Sequence, residues 1–294
     1  MKARLLLSLS LSLLLSFSAT AATAALATVD VKPDRLTTYK TANGVELKLH
    51  VLEPMGLQPS DRRPAIVFFF GGGWNSGEAK QFYQQARALA GQGIVAFSAD
   101  YRVKSRNQTT PFECVLDGKS AIRWVRQHAA ALGVDPERIA AAGGSAGGHV
   151  AASVGLGLGG EEPAENAQIS SVPNALILFN PVLDTTEQGY GAKNFKPHQQ
   201  TALSPSHLVR KGLPPTIIFH GTADTTVPFE NAERFTRLMT AAGNPCTLVP
   251  FEGKGHGFFN GKLSRPASDG ADYAVTMRRA TEFLTALGYI AAKR

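Results

Sequence analysis

A serine, a histidine and an aspartate, brought together, can break an acyl bond, and this chain offers a candidate for each. Residues 143–147 read Gly-Gly-Ser-Ala-Gly, a G-x-S-x-G centred on Ser145. The motif follows the apolar run Ile139–Ala142 and precedes a helical pattern, the strand–turn–helix setting that lifts a serine hydroxyl above a sheet. Side chains two residues before and after the serine would collide in so sharp a turn, which accounts for the flanking glycines. Ser145 then opens a helix, whose N-terminus favours developing negative charge. The pattern alone also fits a glycine-rich turn with an incidental serine. The setting is what favours chemistry.

A hydroxyl is a poor nucleophile until a histidine takes its proton, and that histidine needs a carboxylate to hold its tautomer. Of the seven histidines, His256 lies in Gly-Lys-Gly-His-Gly-Phe, just past the last apolar run, where it can reach the end of a sheet. His149 is one helical turn beyond Ser145 and is expected to pack or cap. His220 ends a strand and is expected to shape a turn. His50, His128, His198 and His207 have no comparable setting. Asp224, in His-Gly-Thr-Ala-Asp-Thr-Thr-Val-Pro, is the preferred carboxylate, because its loop leads into the helix that connects to the histidine strand. Asp184, in Asn-Pro-Val-Leu-Asp, competes with it. Asp100 and Asp117 are expected to pair with arginines such as Arg102 or Arg123.

These residues need a scaffold that converges on one edge. Apolar runs bounded by turn signals predict eight strands: 36–41, 45–52, 65–70, 94–99, 139–142, 175–179, 216–220 and 247–251. The first two are joined by Asn43-Gly44, a strong hairpin turn. The later runs, such as Ala-Ile-Val-Phe-Phe-Phe and Ala-Leu-Ile-Leu-Phe, lack polar alternation, as strands buried on both faces do. Amphipathic helical patterns lie between them at 78–90, 112–132, 228–242 and 271–287, and Asp135-Pro136 marks a turn before the fifth strand. This alternation implies an α/β fold with helices on both faces of the sheet. Residues 155–171 and 184–204 read as loops.

The chain has 294 residues, 44% hydrophobic and 18% charged, enough for one large α/β domain with a substantial core. The net charge of +7 is scattered rather than clustered, so no nucleic-acid partner is indicated. No H-E-x-x-H, paired cysteines or histidine cluster points to a catalytic metal. Residues 1–27 have the pattern of a secretory signal peptide: Lys2 and Arg4, then the apolar stretch Leu5–Phe17, then small residues with Ala25-Leu26-Ala27 as the cleavage site. The apolar stretch is too short and too diluted with serine for a stable membrane anchor. Residues 28–294 are then the catalytic domain, periplasmic or secreted. Export permits a disulfide, and Cys114 and Cys246 pair only if the fold brings their Cα atoms within about 7 Å.

The motifs Phe-Gly-Gly-Gly-Trp (70–74), Asp-Tyr-Arg (100–102), Gly-Gly-Ser-Ala-Gly-Gly (143–148), His-Gly-Thr-Ala-Asp (220–224) and Gly-His-Gly-Phe (255–258), with the order Ser145, Asp224, His256, resemble the α/β-hydrolases. The chain from about Ala65 onward is similar to carboxylesterases of the hormone-sensitive-lipase type and to the bacterial acetyl and feruloyl esterase-like branch. The resemblance implies a mostly parallel eight-stranded sheet and an acyl-enzyme mechanism that needs no cofactor. It also implies an oxyanion hole built from the backbone N–H groups of Gly72, Gly73 and Ala146. Losing one such donor costs about 2.7–4 kcal/mol of transition-state stabilisation. Where those relatives often carry a loop-bracing histidine, this chain has Phe70, which must brace by packing. Trp74 has two readings: it lines the substrate pocket, or it caps the core beside the loop. By analogy the substrate is a small-molecule or polysaccharide ester, acetyl or feruloyl. The rival readings are a serine peptidase of the prolyl-oligopeptidase type and a non-catalytic binding module on the same scaffold.

Overall fold

The computed structural model describes residues 30–292. The signal-peptide pattern at 1–27 lies outside the described residues. The chain forms one eight-stranded sheet: β1 (Arg35–Ala42), β2 (Val45–Leu52), β3 (Arg63–Phe69), β4 (Val95–Ala99), β5 (Val134–Gly144), β6 (Ala175–Phe179), β7 (Thr216–Gly221) and β8 (Cys246–Phe251). The strand order is β1-β2-β4-β3-β5-β6-β7-β8. β2 runs antiparallel to β1 and β4, and the remaining neighbours are parallel. At the β1–β2 turn, Asn43 and Gly44 both take positive φ, 52° and 77°, as the hairpin signal required.

The helices are α1 (Tyr83–Ala90), α2 (Lys104–Asn107), α3 (Pro111–Gln127), α4 (Ala146–Gly155), α5 (Phe229–Ala241) and α6 (Ala271–Ala286). The two-residue period of the strands sorts side chains between the two faces. In β3, Ala65, Val67 and Phe69 join the core under α3, α4 and α5, whereas Ile66 and Phe68 join the core under α1 and α6. α3 starts cleanly because Thr110 and Glu113 form a capping box and Pro111 takes the first helical position.

Three boundaries differ most from the sequence expectation. α3, expected to run to 132, ends at Gln127, and the residues after it form turns. The first helical pattern, expected from 78, begins as a 3-10 turn over Ala79–Phe82 and becomes α-helical only at Tyr83. β5 extends back to Val134 and includes Asp135-Pro136. The turn signal is expressed as a break in the ladder: Arg63 lies opposite Val134, but Ala65 lies opposite Ile139. Cys114 and Cys246 are both free. Cys114 is buried at the start of α3, and Cys246 begins the edge strand β8. No helix among the described residues is long and apolar enough to cross a membrane.

Candidate active site

The C-terminal ends of β3, β5, β6 and β7 converge on Ser145. This residue sits between β5 and α4 with φ 56° and ψ −122°, a conformation a non-glycine residue adopts only under constraint. The constraint is visible. Ser145 N–H donates to Phe179 O at the end of β6 (3.0 Å), and Ser145 O accepts from His149 N–H and Val182 N–H (3.0 and 3.2 Å). A Cβ on Gly147 would lie 2.1 Å from Phe69 O, and one on Gly143 would lie 2.3 Å from Gly147 O. The glycines flanking the serine are therefore demanded by neighbouring backbone.

His256 reaches Ser145 from the loop after β8. Its Nε2 lies 2.9 Å from Ser145 Oγ, and its Nδ1 lies 2.7 Å from Asp224 Oδ2. A carboxylate only accepts, so Nδ1 carries the proton and Nε2 is left to accept from the serine hydroxyl. Asp224 follows β7, and its side chain is fully buried. Its Oδ1 accepts from Thr226 N–H and Val227 N–H (2.9 and 3.0 Å). Burial pushes this carboxyl up, but the hydrogen bonds from His220, His256 and Val227 outweigh it and hold the group well below the usual carboxylate range. His220, whose Nε2 lies 3.0 Å from Val227 O and 3.4 Å from Asp224 Oδ2, braces the acid from the strand end. The turn-shaping role expected for His220 does not include this contact with Asp224, which only the fold creates.

Of the three glycines after β3, only two keep a free donor. Gly71 N–H donates to Gln81 Oε1 at 2.7 Å. Among the described residues, the N–H groups of Gly72, Gly73 and Ala146 meet no acceptor. Gly72 and Gly73 border the same cleft as Ser145 and His256, and Ala146 follows the serine directly. Gly72 has φ 129°, and a Cβ there would lie 2.2 Å from Ser76 O. This glycine is therefore required by the turn's own return path. Phe70 is fully buried and stacks on Tyr101 (4.0 Å, 15°), whose O–H donates to Phe70 O at 2.5 Å. An aromatic pair of this kind contributes about 0.5–1.5 kcal/mol beyond its area, and here it braces the loop by packing.

Trp74 takes the capping reading. It is 2% exposed and is not part of the cleft wall at Ser145. Its Nε1–H donates to His149 Nδ1 (3.3 Å), and its ring meets His149 and Phe195 edge-on. Of its two readings, the packing one is what these contacts describe, and the ring also borders an adjoining recess that shares Lys104, Lys193 and Asn194 with the cleft at Ser145. His149 is buried against it. Because Trp74 Nε1 only donates, His149 Nδ1 must accept, and Nε2–H donates to Leu203 O (2.7 Å). Burial pulls the imidazole down to about 4, against a smaller opposing effect of that hydrogen bond.

Asp184, the competing acid, is fully buried after β6 and pairs with Arg234 rather than a histidine. Asp117 makes a bidentate pair with Arg102 (both 2.8 Å) and a third contact with Lys40 (2.8 Å), as its structural reading required. Asp100 contacts His50 rather than an arginine.

Several residues of the site carried no local signal. Gln81 Nε2–H donates to Asn260 Oδ1 (3.1 Å), and Asn260 Nδ2–H donates to Gly257 O (2.9 Å), so one amide chain ties the Gly71 loop to the His256 loop. Asn180 Oδ1 accepts from Gly257 N–H (3.0 Å). Tyr190, Lys193 and Asn194 come from the long 184–204 loop, and with Lys104 they wall the far side of a cleft of about 670 Å³. An amide at an arbitrary helix position and polar residues in a loop have no periodicity to betray them. No group of His, Cys, Asp and Glu among the described residues is arranged to hold a metal.

The BD-FAE family model matches residues 53–199, half of the chain. Carboxylesterase NlhH of Mycobacterium tuberculosis is 32% identical over 229 residues, covering 71% of this chain and 70% of NlhH. Esterase LipC of the same organism is 30% identical over 222 residues, 68% of this chain, but the chain spans only about half of LipC (54%). The propionate-bound structure of Est2, a thermophilic esterase from Thermogutta terrifontis, superposes with TM-score 0.82 and 50% identity, covering 88% of this chain and 96% of that one. With its mostly parallel eight-stranded sheet and helices on both faces, the chain belongs to the α/β-hydrolase carboxylesterases of the hormone-sensitive-lipase and feruloyl-esterase type.

Proposed function

We propose that the protein is an exported serine carboxylesterase that hydrolyses short-chain acyl esters, acetyl or feruloyl in kind, including those on polysaccharide. His256 takes the proton of Ser145 Oγ as that oxygen attacks the ester carbonyl. The N–H groups of Gly72, Gly73 and Ala146 receive the oxyanion. The tetrahedral adduct collapses, the C–O bond to the alcohol breaks, and His256 protonates the departing oxygen. Water then attacks the acyl-enzyme with His256 again as base, releasing the acid and Ser145. Asp224 keeps the proton on Nδ1 and supports the imidazolium. The observation that carries this reading is the unbroken pair of hydrogen bonds, 2.9 Å from Ser145 to His256 and 2.7 Å from His256 to Asp224. The relatives lend support to the chemistry. Structures of the Thermogutta terrifontis esterase carry propionate or butyrate, and others are phosphorylated by paraoxon or phosphonylated by sarin. Covalent modification of that kind suits an activated nucleophile. Export rests on the basic–apolar–small pattern of residues 1–27.

The test compares the mature protein with Ser145→Ala on p-nitrophenyl acetate and butyrate, longer acyl esters, acetylated xylan, methyl ferulate and a chromogenic peptide. The expected outcome is turnover of short acyl esters that falls by about 10⁶ in kcat in the variant. Equal turnover by both proteins would sink the role of Ser145. Cleavage of the peptide alone would make the protein a peptidase, and turnover of nothing would make it a binding module.

A further inference from the structure

The far wall of the cleft has a charge pattern that the ester-hydrolase reading does not use. No aspartate or glutamate lines the cleft of about 670 Å³ at Ser145, but Lys104 and Lys193 both do. Neither lysine lies within ion-pair distance of a carboxylate among the described residues. The buried lysines are neutralised: Lys40 pairs with Asp117 and Glu162, and Lys119 pairs with Glu161. The exposed Lys80, Lys196, Lys211 and Lys262 are, like the cleft pair, outside any ion pair among the described residues; what sets Lys104 and Lys193 apart is that they share one concave wall. The two cleft lysines are also held in place by their backbones. Lys104 N–H donates to Trp74 O (2.9 Å), which fixes it to the same loop that carries Gly72 and Gly73. Lys193 lies in the 3-10 turn Ala192–Asn194, closed by Asn194 N–H to Gly191 O (2.8 Å).

Lys104, Lys193 and Asn194 are shared with an adjoining recess of about 410 Å³. Its wall includes Thr109, whose enclosed hydroxyl has no partner among the described residues. A hydroxyl left unsatisfied beside two unpaired ammonium groups is a donor set without an acceptor. A second recess, bordered by Gly71, Gly72 and His256, carries Glu78 together with Lys80 and Arg265, so its charges are mixed. The positive character therefore belongs to one arm. A concave wall with a single sign of charge concentrates its field on whatever enters.

Building on the ester-hydrolase reading, we propose that this arm binds a carboxylate of the substrate, so that the preferred substrates are esters bearing a free carboxylate on the acid or the alcohol half. A carboxylate accepts from both ammonium groups. A neutral ester of the same shape leaves them facing water.

The experiment measures kcat/KM for two matched pairs. Mono-p-nitrophenyl adipate is set against the corresponding adipamate, for a carboxylate on the acid half. 4-Carboxyphenyl butyrate is set against 4-carbamoylphenyl butyrate, for a carboxylate on the alcohol half. In the wild type the anionic-to-neutral ratio of at least one pair is expected to exceed that of Lys104→Gln/Lys193→Gln by about tenfold, and the pair that responds identifies the half. The charge-preserving Lys104→Arg/Lys193→Arg variant is expected to keep most of the wild-type ratio. Salt near 1 M, where the screening length is about 3 Å, is expected to lower the ratio in the wild type and the Arg variant but not in the Gln variant. Ratios for both pairs that are the same in wild type and Gln variant would overturn the carboxylate subsite while leaving ester hydrolysis intact. Neutral-ester turnover that survives Ser145→Ala would overturn the underlying reading, and this inference with it.

Discussion

Asp184 and Asp224 occupy matching places in adjacent units of the fold. Each follows a central strand, β6 or β7, and each begins the tripeptide Asp-Thr-Thr. Both side chains are fully buried, and both use Oδ1 to capture the N–H two residues on, Thr186 at 2.8 Å and Thr226 at 2.9 Å. Locally they are the same Asx turn. They part company at Oδ2. Asp184 turns it to Arg234 on α5, whereas Asp224 turns it to His256 and His220. One pairing joins a loop to a helix, and the other orients an imidazole beside a serine. An identical local device thus serves packing in one place and chemistry in the other, and the difference lies wholly in what the far side of the carboxylate meets.

The comparison can be broken most decisively by kinetics. Asp224→Asn keeps the turn acceptor but removes the charge that supports the imidazolium, so kcat is expected to fall by about 10⁴. Asp184→Asn keeps the corresponding turn and touches no reacting group, so its kcat is expected to stay within about tenfold of wild type. Equal losses in p-nitrophenyl acetate turnover would erase the distinction between the two acids.

A stability–pH profile sharpens it next. Both carboxylates are held below their ordinary range: burial pushes each up, and hydrogen bonds and the facing charge outweigh it. The folded state therefore keeps their stabilising contribution above an unfolded pKa of about 4 and loses it as pH falls further. His149 acts in a different window. Burial pulls it down to about 4 from 6.5, so its contribution is complete above about pH 6.5 and fades as pH drops towards 4. Urea unfolding from pH 7 to 3 is expected to show two falls. His149→Gln should remove the upper one, worth about 3 kcal/mol. Asp184→Asn and Asp224→Asn should flatten only the lower.

The smallest effect concerns stability alone. Asp184→Ala deletes the turn acceptor and strands the Thr186 donors and Arg234, which is still partly solvated, so a loss of about 2 kcal/mol is expected in urea unfolding at neutral pH. A loss below the error of that measurement would mean that the Asp184 turn does not hold its loop.

Much of this was legible in advance where the signal is local. The eight strands announce themselves as apolar runs, and the serine turn as a glycine pattern with a steric cause. Ser145, Asp224 and His256 each sit in a turn with a local signal, and the fold brings them into one hydrogen-bonded chain. Trp74 was ambiguous because its direction depends on a positive φ and on a partner, His149, that lies 75 positions away. Gln81 was invisible because its amide matters only for joining Gly71 to Asn260, 179 positions further along. Lys104 and Lys193 were two of many scattered lysines until the fold set them on one wall.

By itself, then, the sequence determined the α/β alternation, the face each strand residue takes, and the local turns that prepare a serine, an acid and a histidine for acyl chemistry. Those are consequences of backbone sterics and of periods of two or about 3.6 residues, which any short window contains. Only the tertiary structure decided which acid meets the histidine, which way Trp74 faces, which glycine N–H groups remain free and where unpaired charge collects. The two hydrogen bonds that make the site join residues 32 and 111 positions apart. Contacts at that separation depend on how the sheet orders its strands, and no local pattern in the chain encodes that order.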